Sequence, residues 1–247
     1  MSLRRRTEPL TQTTVYEVKL GDEFLMSSMF TVAEEALTDL AIERAQALRP
    51  SRDAGRSDVP DTRDRLSVLV GGLGLGYTAA AALRHTDVGA VDVIEALAPV
   101  ISWHEQRLLP ASAELLDNDR TRLLLADFFA VMAGDAGAEV GALPAYDVIA
   151  LDIDHAPDFV LHPDHQNFYT SSGLQGAAAM LAPQGVFALW SDRAPDDHFL
   201  ATAHQVFAVV DAEVVTFANP LTGGTSSNTV YLAHQPHSEP PSATGSG

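Results

Sequence analysis

The chain has 247 residues, a length that predicts one hydrophobic core and excludes two full catalytic domains. Apolar residues make up 46% of it, which is enough to offset the entropy of most of the chain and excludes global disorder. Because there is no cysteine, disulfides, thiolate metal sites and cysteine nucleophiles are excluded as well. Neither a membrane-spanning segment nor an export signal is apparent, so we expect a cytoplasmic protein.

The net charge of −18 is concentrated in the larger part of the chain, since residues 71–247 hold 5 basic and 21 acidic side chains. A field of this sign repels phosphate backbones and anionic lipids. We therefore expect a cationic small-molecule substrate, and neither nucleic acid nor a membrane as a partner. Solubility or adaptation to salt would give the same composition, so the charge restricts the partners without identifying one.

The N-terminal 65 residues predict an appendage that precedes the main domain. Residues 1–30 are interpreted as a tail followed by a β-hairpin over residues 14–28, with turn chemistry at Gly21-Asp22. From Thr31 the apolar residues recur with a helical period, and Thr31, followed by Glu34 three positions later, is a plausible helix cap. We predict a helix that ends before Pro50 and a flexible linker over residues 51–65.

Residues 66–234 predict the main domain, in which strands alternate with helices. The first strand, 66–70, leads through a glycine turn into an alanine-rich helix over 78–83. Further strands are predicted at 90–94, 122–125, 146–151 and 186–190, with helices over 99–109, 172–181 and 198–209. This alternation predicts an α/β fold with a mostly parallel sheet covered on both faces.

The end of the chain departs from this alternation. Two strands, 213–217 and 229–233, are joined by Pro and Gly residues and predict a terminal antiparallel hairpin. Residues 235–247 hold prolines and small polar residues, which predicts a disordered tail.

Ligands in open α/β sheets bind outside the carboxyl ends of the strands, where the candidate residues of this chain lie. The turn after the first strand contains Gly71, Gly72, Gly74 and Gly76, which lets a ligand approach the backbone and the start of the next helix. Glu95 ends the second strand, 19 residues after Gly76, where an acid accepts hydrogen bonds from ribose hydroxyls. Glycines also occur in tight turns that bind no ligand, and acids also occur at strand ends that are simply exposed to solvent. The glycine turn and Glu95 together, at this spacing, predict a nucleoside pocket.

The pocket could hold a dinucleotide or an adenosyl sulfonium compound, and three features favour the second. The turn is GxGxG and lacks the last glycine of GxGxxG. Asp127, after the third strand, is placed for an adenine amino group, with Phe128 or Phe129 as a ring neighbour. The terminal hairpin matches the reversed last strand of the class I methyltransferase sheet. We therefore predict S-adenosylmethionine as the cofactor.

The ordered series of motifs resembles spermidine synthases, the polyamine aminopropyltransferases, and their methyltransferase-like relatives. The resemblance runs over residues 15–233 and rests on segments 69–78, 91–95, 125–127, 146–152 and 167–169. It implies a Rossmann-like class I methyltransferase sheet with a small N-terminal β-hairpin, which the family often uses to form homodimers. It also implies that the glycine loop, Glu95 and Asp127 hold the adenosyl group and that Asp152 helps to deprotonate an attacking amine.

The chain departs from this family where the polyamine would bind. Gly74 stands where the family has the aspartate that grips the aminopropyl ammonium, and residues 152–155 replace its Asp-Ser-x-Asp motif. The family's Tyr-His-Glu-Met-x-x-His helix matches residues 33–39 only at Glu35. A buried ammonium without its carboxylate is expensive to desolvate. S-adenosylmethionine is therefore expected rather than its decarboxylated form, with methyl transfer or an unusual aminopropyl acceptor.

Segment 152–165 concentrates acids and histidines near the predicted pocket. Asp152 and His155 are the catalytic candidates, because Asp152 ends a strand and a histidine acts as a base near neutral pH. Asp154, Tyr77 and Trp190 are predicted to bind the substrate. The same segment could instead hold a divalent metal ion or form a solvated acidic loop; no metal ligand is assigned.

The leading hypothesis from the sequence is an S-adenosylmethionine-dependent transferase that moves a methyl group to a nucleophile, expected to be an amine. Sulfonium transfer needs alignment and removal of a proton rather than covalent catalysis. The alternatives are an aminopropyltransferase that uses decarboxylated S-adenosylmethionine, a non-catalytic nucleoside-binding scaffold, and an NAD-dependent oxidoreductase.

Overall fold

The computed structural model describes residues 1–21, 23–49, 65–135 and 140–237. Its N-terminal part is an antiparallel sheet of three strands, β1 (Ser2–Thr7), β2 (Thr14–Leu20) and β3 (Glu23–Ser27). Strands β2 and β3 form the predicted hairpin. Strand β1 was expected to be a tail, but it pairs with β2 along its whole length. An ion pair of 2.7 Å between Arg6 Nη2 and Glu17 Oε1 joins these two strands and offsets the charge of the basic run.

Helix α1 (Val32–Leu48) follows this sheet and begins and ends close to where the sequence predicts. Thr31 is the N-cap residue of α1, as predicted, but its hydroxyl donates to Glu35 Oε1 (2.9 Å) and accepts no hydrogen bond from a backbone amide. The predicted linker lies outside the described residues except for Arg65. Inside α1, the buried Thr38 hydroxyl donates to the backbone oxygen of Thr78 (2.9 Å), which fixes α1 against the main domain.

The main domain contains a sheet of seven strands in the order β6-β5-β4-β7-β8-β10-β9. Strand β10 is antiparallel to both of its neighbours, and the remaining pairs are parallel. The predicted α/β class, with a mostly parallel sheet and a terminal antiparallel hairpin, is confirmed. The strands are β4 (Leu66–Gly71), β5 (Val88–Glu95), β6 (Thr121–Leu125), β7 (Tyr146–Leu151), β8 (Leu181–Ser191), β9 (Phe207–Asn219) and β10 (Gly224–Pro236).

Helices connect these strands and cover the sheet. In chain order they are α2 (Tyr77–Arg84), α3 (Ala98–Glu105), α4 (Ser112–Leu116), α5 (Phe128–Met132), the 3₁₀ helix Pro163–Tyr169, α6 (Ser171–Met180) and α7 (Asp197–Ala203). None of the helices in the described part of the chain is long and apolar enough to cross a membrane.

The terminal hairpin is longer than the sequence predicts. Helix α7 ends at Ala203, and residues 207–209, which were expected to be helical, begin β9. Phe207 is fully buried and pairs opposite Pro236, so the gain in sheet packing outweighs the helical pattern. Gln235 and Pro236 therefore belong to β10 rather than to the tail, and residues 238–247 lie outside the described residues.

The sheet is buried on both faces because successive side chains of its central strands point in opposite directions. Val68 and Val70 of β4 pack with residues of α1 and α2, whereas Leu69 packs on the other face with Phe128 and Leu174. A buried polar group ties three strands together: Asp92 of β5 accepts two hydrogen bonds from Arg122 of β6 (2.9 and 2.6 Å) and one from the Tyr146 hydroxyl of β7 (2.6 Å). These contacts align the strands whose opposite ends carry the candidate site.

Candidate active site

A cavity of about 550 Å³ lies at the carboxyl ends of β4, β7 and β8. The main sheet supplies only part of its wall. The N-terminal sheet and the segment before α1 contribute Leu25, Met26, Ser27 and Phe30, and the β9–β10 hairpin contributes Phe217 and residues 226–228. The appendage predicted from the sequence thus completes the pocket of the main domain.

Asp152 lies in this cavity, immediately after β7. Its backbone N–H donates to the oxygen of Gly71 (2.8 Å), and the Thr78 hydroxyl donates to its Oδ2 (2.6 Å). These two bonds fix the carboxylate and leave Oδ1 without a hydrogen bond to the described residues. The structure therefore places the first catalytic candidate where its free oxygen can meet a ligand.

Glu34, in the first turn of α1, lines the same cavity. No described residue forms a hydrogen bond with its carboxyl group. Burial raises the pKa of Glu34 from 4.5 to about 9, and the charges of Asp152 and then Glu35 add to the effect. Burial also raises the pKa of Asp152, from 3.8 to about 6, against the opposing hydrogen bond from Thr78. At neutral pH the cavity thus holds a protonated carboxyl group beside an ionised one.

The sequence comparison selected Glu35, but this residue faces away from the cavity. Its carboxylate lies 2.6 Å from Arg84 Nη2 and also accepts the Thr31 hydroxyl. Glu34 lies one turn before Thr38, which contacts α2, so both side chains lie on the same helix face. The helical period of α1 could therefore have identified Glu34 as the residue that faces the main domain. Matching the family motif selected Glu35 instead.

Glycines allow the turn after β4 to pack tightly against its neighbours. Gly72 has φ +96°, and a Cβ there would lie 2.3 Å from the backbone oxygen of Asp152. Gly76 has φ +93°, and a Cβ there would lie 2.8 Å from His104 Cε1. Gly74 and Gly76 line the cavity, whereas Gly71 and Gly72 hold the turn against β7.

His104 is a supporting residue that the sequence analysis missed. It is fully buried on α3, with Nε2 3.0 Å from the oxygen of Gly74 and Nδ1 3.3 Å from Ser112 Oγ. Burial lowers its pKa, so the imidazole is neutral at pH 7. The ring therefore packs against the glycine turn and holds it in place. No sequence motif marks His104 for this role.

Glu95 ends β5 as predicted, but its carboxylate is occupied by backbone amides. It accepts from the N–H groups of Leu73 (3.1 Å), Gly74 (3.4 Å) and Leu97 (2.8 Å). Burial raises its pKa, and these hydrogen bonds oppose that effect. These three amides leave part of the acceptor capacity of the carboxylate unused, and Glu95 does not line the 550 Å³ cavity.

Asp127 and Phe128 lie apart from the 550 Å³ cavity. The Asp127 carboxylate caps α5 by accepting from the N–H groups of Phe129 (2.8 Å) and Ala130 (3.4 Å), and it borders a separate groove beside Phe129. Phe128 is only 1% exposed, and its ring fills the space beside Gly71. Of the two predicted ring neighbours, Phe129 borders the groove and stacks on His165, whereas Phe128 belongs to the core.

The two neighbours Asp154 and His155 have different surroundings. Asp154 was predicted to bind the substrate, but its fully buried carboxylate accepts from Leu161 N (2.7 Å) and the Tyr169 hydroxyl (2.8 Å) and contacts His165 Nδ1 (2.9 Å). It holds segment 155–169 in place and does not line the cavity. His155 does line the cavity, and its ring stacks on Phe159 with centroids 5.1 Å apart.

Tyr77 and Trp190, the other predicted substrate contacts, both line the cavity. Burial raises the pKa of Tyr77, so its hydroxyl stays protonated at neutral pH. The Trp190 indole nitrogen is buried and has no hydrogen-bond partner among the described residues. Within the described ranges, no group of three His, Asp or Glu side chains is arranged to hold a metal ion.

Comparison with solved structures relates this architecture to known enzymes. The spermidine synthase from Thermotoga maritima matches with a TM-score of 0.63 and 16% identity, over 94% of this chain and 68% of that one. A spermidine synthase in complex with the transition state analogue AdoDATO matches with a TM-score of 0.61 and 18% identity, over 93% and 68%. Human methyltransferase-like protein 13 in complex with SAH matches with a TM-score of 0.51 and 24% identity, over 87% and 83%.

No family model and no curated protein matches the chain. At these low identities the structural matches establish a shared fold. They confirm that the chain has the architecture of spermidine synthases and class I methyltransferases, which the motif series predicts.

Proposed function

We propose that this protein is an S-adenosylmethionine-dependent transferase that moves a methyl group to an amine. The observation that carries the proposal is the pair of carboxyl groups, Asp152 and Glu34, in a cavity beside the glycine turn. The solved relatives with SAH and AdoDATO support an adenosyl ligand for this fold. The glycine turn, Glu95 and Asp127 would hold that ligand, since they lie at the ends of three adjacent strands.

When bound, S-adenosylmethionine supplies an electrophilic methyl group on a positively charged sulfur. The residues of the chain then have to align the amine and remove its proton. Because Thr78 holds Oδ2 of Asp152, Oδ1 would be the atom that accepts the proton lost by the amine. Burial raises the pKa of Glu34 to about 9, so at neutral pH its carboxyl group keeps a hydrogen that it can donate to a ligand.

The surroundings of Gly74 support S-adenosylmethionine over its decarboxylated form. The family's aspartate at this position would pair with the aminopropyl ammonium. Here a Cβ at Gly74 would lie 3.3 Å from Met26 Sδ, so a thioether from the N-terminal sheet takes the space beside the turn. An aminopropyl donor would therefore lack this carboxylate contact.

Aminopropyl transfer is a second candidate because of one further observation. The described residues that line the cavity include neither lysine nor arginine. The carboxylate of a methionine moiety would find no cationic side chain there, whereas a decarboxylated donor carries no such group. The choice between the two reactions depends on which donor the site binds.

The experiment is a calorimetric titration of the full chain with S-adenosylmethionine, its decarboxylated form and NAD. The donor that binds is then incubated with the protein and a panel of amines, and the mass of the product distinguishes a methyl from an aminopropyl group. We expect S-adenosylmethionine to bind at least as tightly as its decarboxylated form and to give methylated amines. Preference for the decarboxylated donor with aminopropyl transfer to putrescine would establish the second candidate. Binding of NAD alone would refute both.

A further inference from the structure

Four aromatic side chains line the 550 Å³ cavity. Tyr77 and Trp190 come from the main domain, and Phe30 and Phe217 come from the segment before α1 and from β9. The rings of Phe30 and Phe217 contact each other with centroids 5.6 Å apart. All four side chains are only partly buried, so their faces remain available to a ligand.

The acidic side chains of the cavity differ in how far they are buried. Asp152 and Glu34 are both partly buried and interact with each other. Asp192, the remaining acid of the lining, has a side chain 38% exposed and lies 3.9 Å from His155 Nδ1, where solvent screens its charge. Among the described lining residues, Asp152 is therefore the partly buried acid that is ionised at neutral pH and can neutralise a cation that leaves water.

From this arrangement we propose that the acceptor is a hydrophobic monoamine, in which a single amino group is joined to a flat aromatic body. The inference rests on the proposed function and names the substrate class of the same site. The amino group binds at Asp152 and Glu34. The aromatic body displaces water from the four rings, and the ammonium gains further attraction from the faces of Tyr77 and Trp190.

The same surface disfavours an aliphatic diamine. Its second ammonium would have to leave water against Phe30 and Phe217. The described lining residues offer no buried carboxylate there. An unpaired charge in such a position is costly to desolvate. The aromatic wall therefore selects against a second positive charge as well as in favour of an apolar group.

The test compares phenethylamine with putrescine by calorimetry on the full chain, with and without S-adenosylhomocysteine. We expect phenethylamine to bind at least about tenfold more tightly than putrescine. Phe217→Ala should weaken the binding of phenethylamine by about tenfold, because it removes an aromatic contact, and should leave the affinity for putrescine unchanged. Phe217→Leu keeps the apolar bulk and should give a smaller loss, which guards against an effect of misfolding.

Variants of two acidic residues test where the amino group of phenethylamine binds. Asp152→Asn should weaken binding of phenethylamine, because it removes the carboxylate that is ionised at neutral pH, whereas Glu35→Gln, on the outer face of α1, should have no effect. Tighter binding of putrescine, or a Phe217→Ala variant that binds phenethylamine as the wild type does, would overturn the inference. The proposed function fails separately, if S-adenosylmethionine does not bind or no methyl group is transferred, and the amine affinities remain measurable in that event.

Discussion

Replacing Glu34 by Gln should stabilise the fold, and the gain should grow with pH. The Glu34 carboxyl group titrates near 4.5 in the unfolded chain and at about 9 in the folded protein. Between these values the unfolded chain has released a proton that the folded protein retains. The free energy of unfolding therefore falls as the pH rises, by up to about 1.4 kcal/mol per pH unit.

The size of the effect follows from this slope. From pH 5 to pH 7, Glu34 alone lowers the free energy of unfolding by up to about 3 kcal/mol. Asp152 titrates at about 6 in the same cavity, and part of the Glu34 shift comes from its charge. We therefore expect Glu34→Gln to be more stable than the wild type by about 1–3 kcal/mol at pH 7 and by little at pH 5.

The assay is urea unfolding at pH 5 and pH 7, followed by circular dichroism. Glu35→Gln is the matched control. It loses a partly exposed ion pair with Arg84, so it should cost at most about 1 kcal/mol at either pH. A stability difference between Glu34→Gln and the wild type that does not grow with pH would show that Glu34 is not a buried protonated acid. A gain in stability with a loss of activity would indicate that Glu34 is kept for function.

Three further substitutions test the other parts of the site. Asp152→Asn keeps the shape of the side chain and removes the base, so turnover of an identified amine should fall by about a hundredfold, with donor affinity nearly unchanged in calorimetry. Glu95→Ala removes the acceptor of the glycine turn and of the predicted ribose contact, and should weaken donor binding by about 1.5–3 kcal/mol in the same titration. Gly74→Asp restores a carboxylate beside the turn and should shift the ratio of donor affinities towards decarboxylated S-adenosylmethionine by about tenfold; combining it with Met26→Ala should enlarge the shift, because Met26 occupies that space.

For each of these substitutions, one result would contradict the prediction. Equal turnover of Asp152→Asn and the wild type would place the base elsewhere, with His155 the next residue to test. Unchanged donor affinity in a folded Glu95→Ala variant would remove Glu95 from the site. Equal donor ratios for Gly74→Asp and the wild type would show that this position does not select the donor.

Local sequence patterns determined the fold and the edge of the sheet at which the candidate site lies. Strand β7 has the predicted bounds, and the glycine turn and Glu95 lie at strand ends as expected. A strand that is buried on both faces requires a short apolar run, and a strand-to-helix turn requires glycine where φ is positive. Both requirements act within a few residues, so the amino-acid sequence alone displays them.

The tertiary structure decided which member of each adjacent pair lines a cavity or groove. Glu34 faces the cavity and Glu35 does not, and Phe129 borders a groove while Phe128 is in the core. His155 lines the cavity, whereas its neighbour Asp154 holds the loop. Neighbouring residues of a helix point about 100° apart, so the choice depends on how the helix rotates against the sheet. That rotation is fixed by contacts between residues distant in the chain, such as Thr38 with Thr78, which no local pattern records.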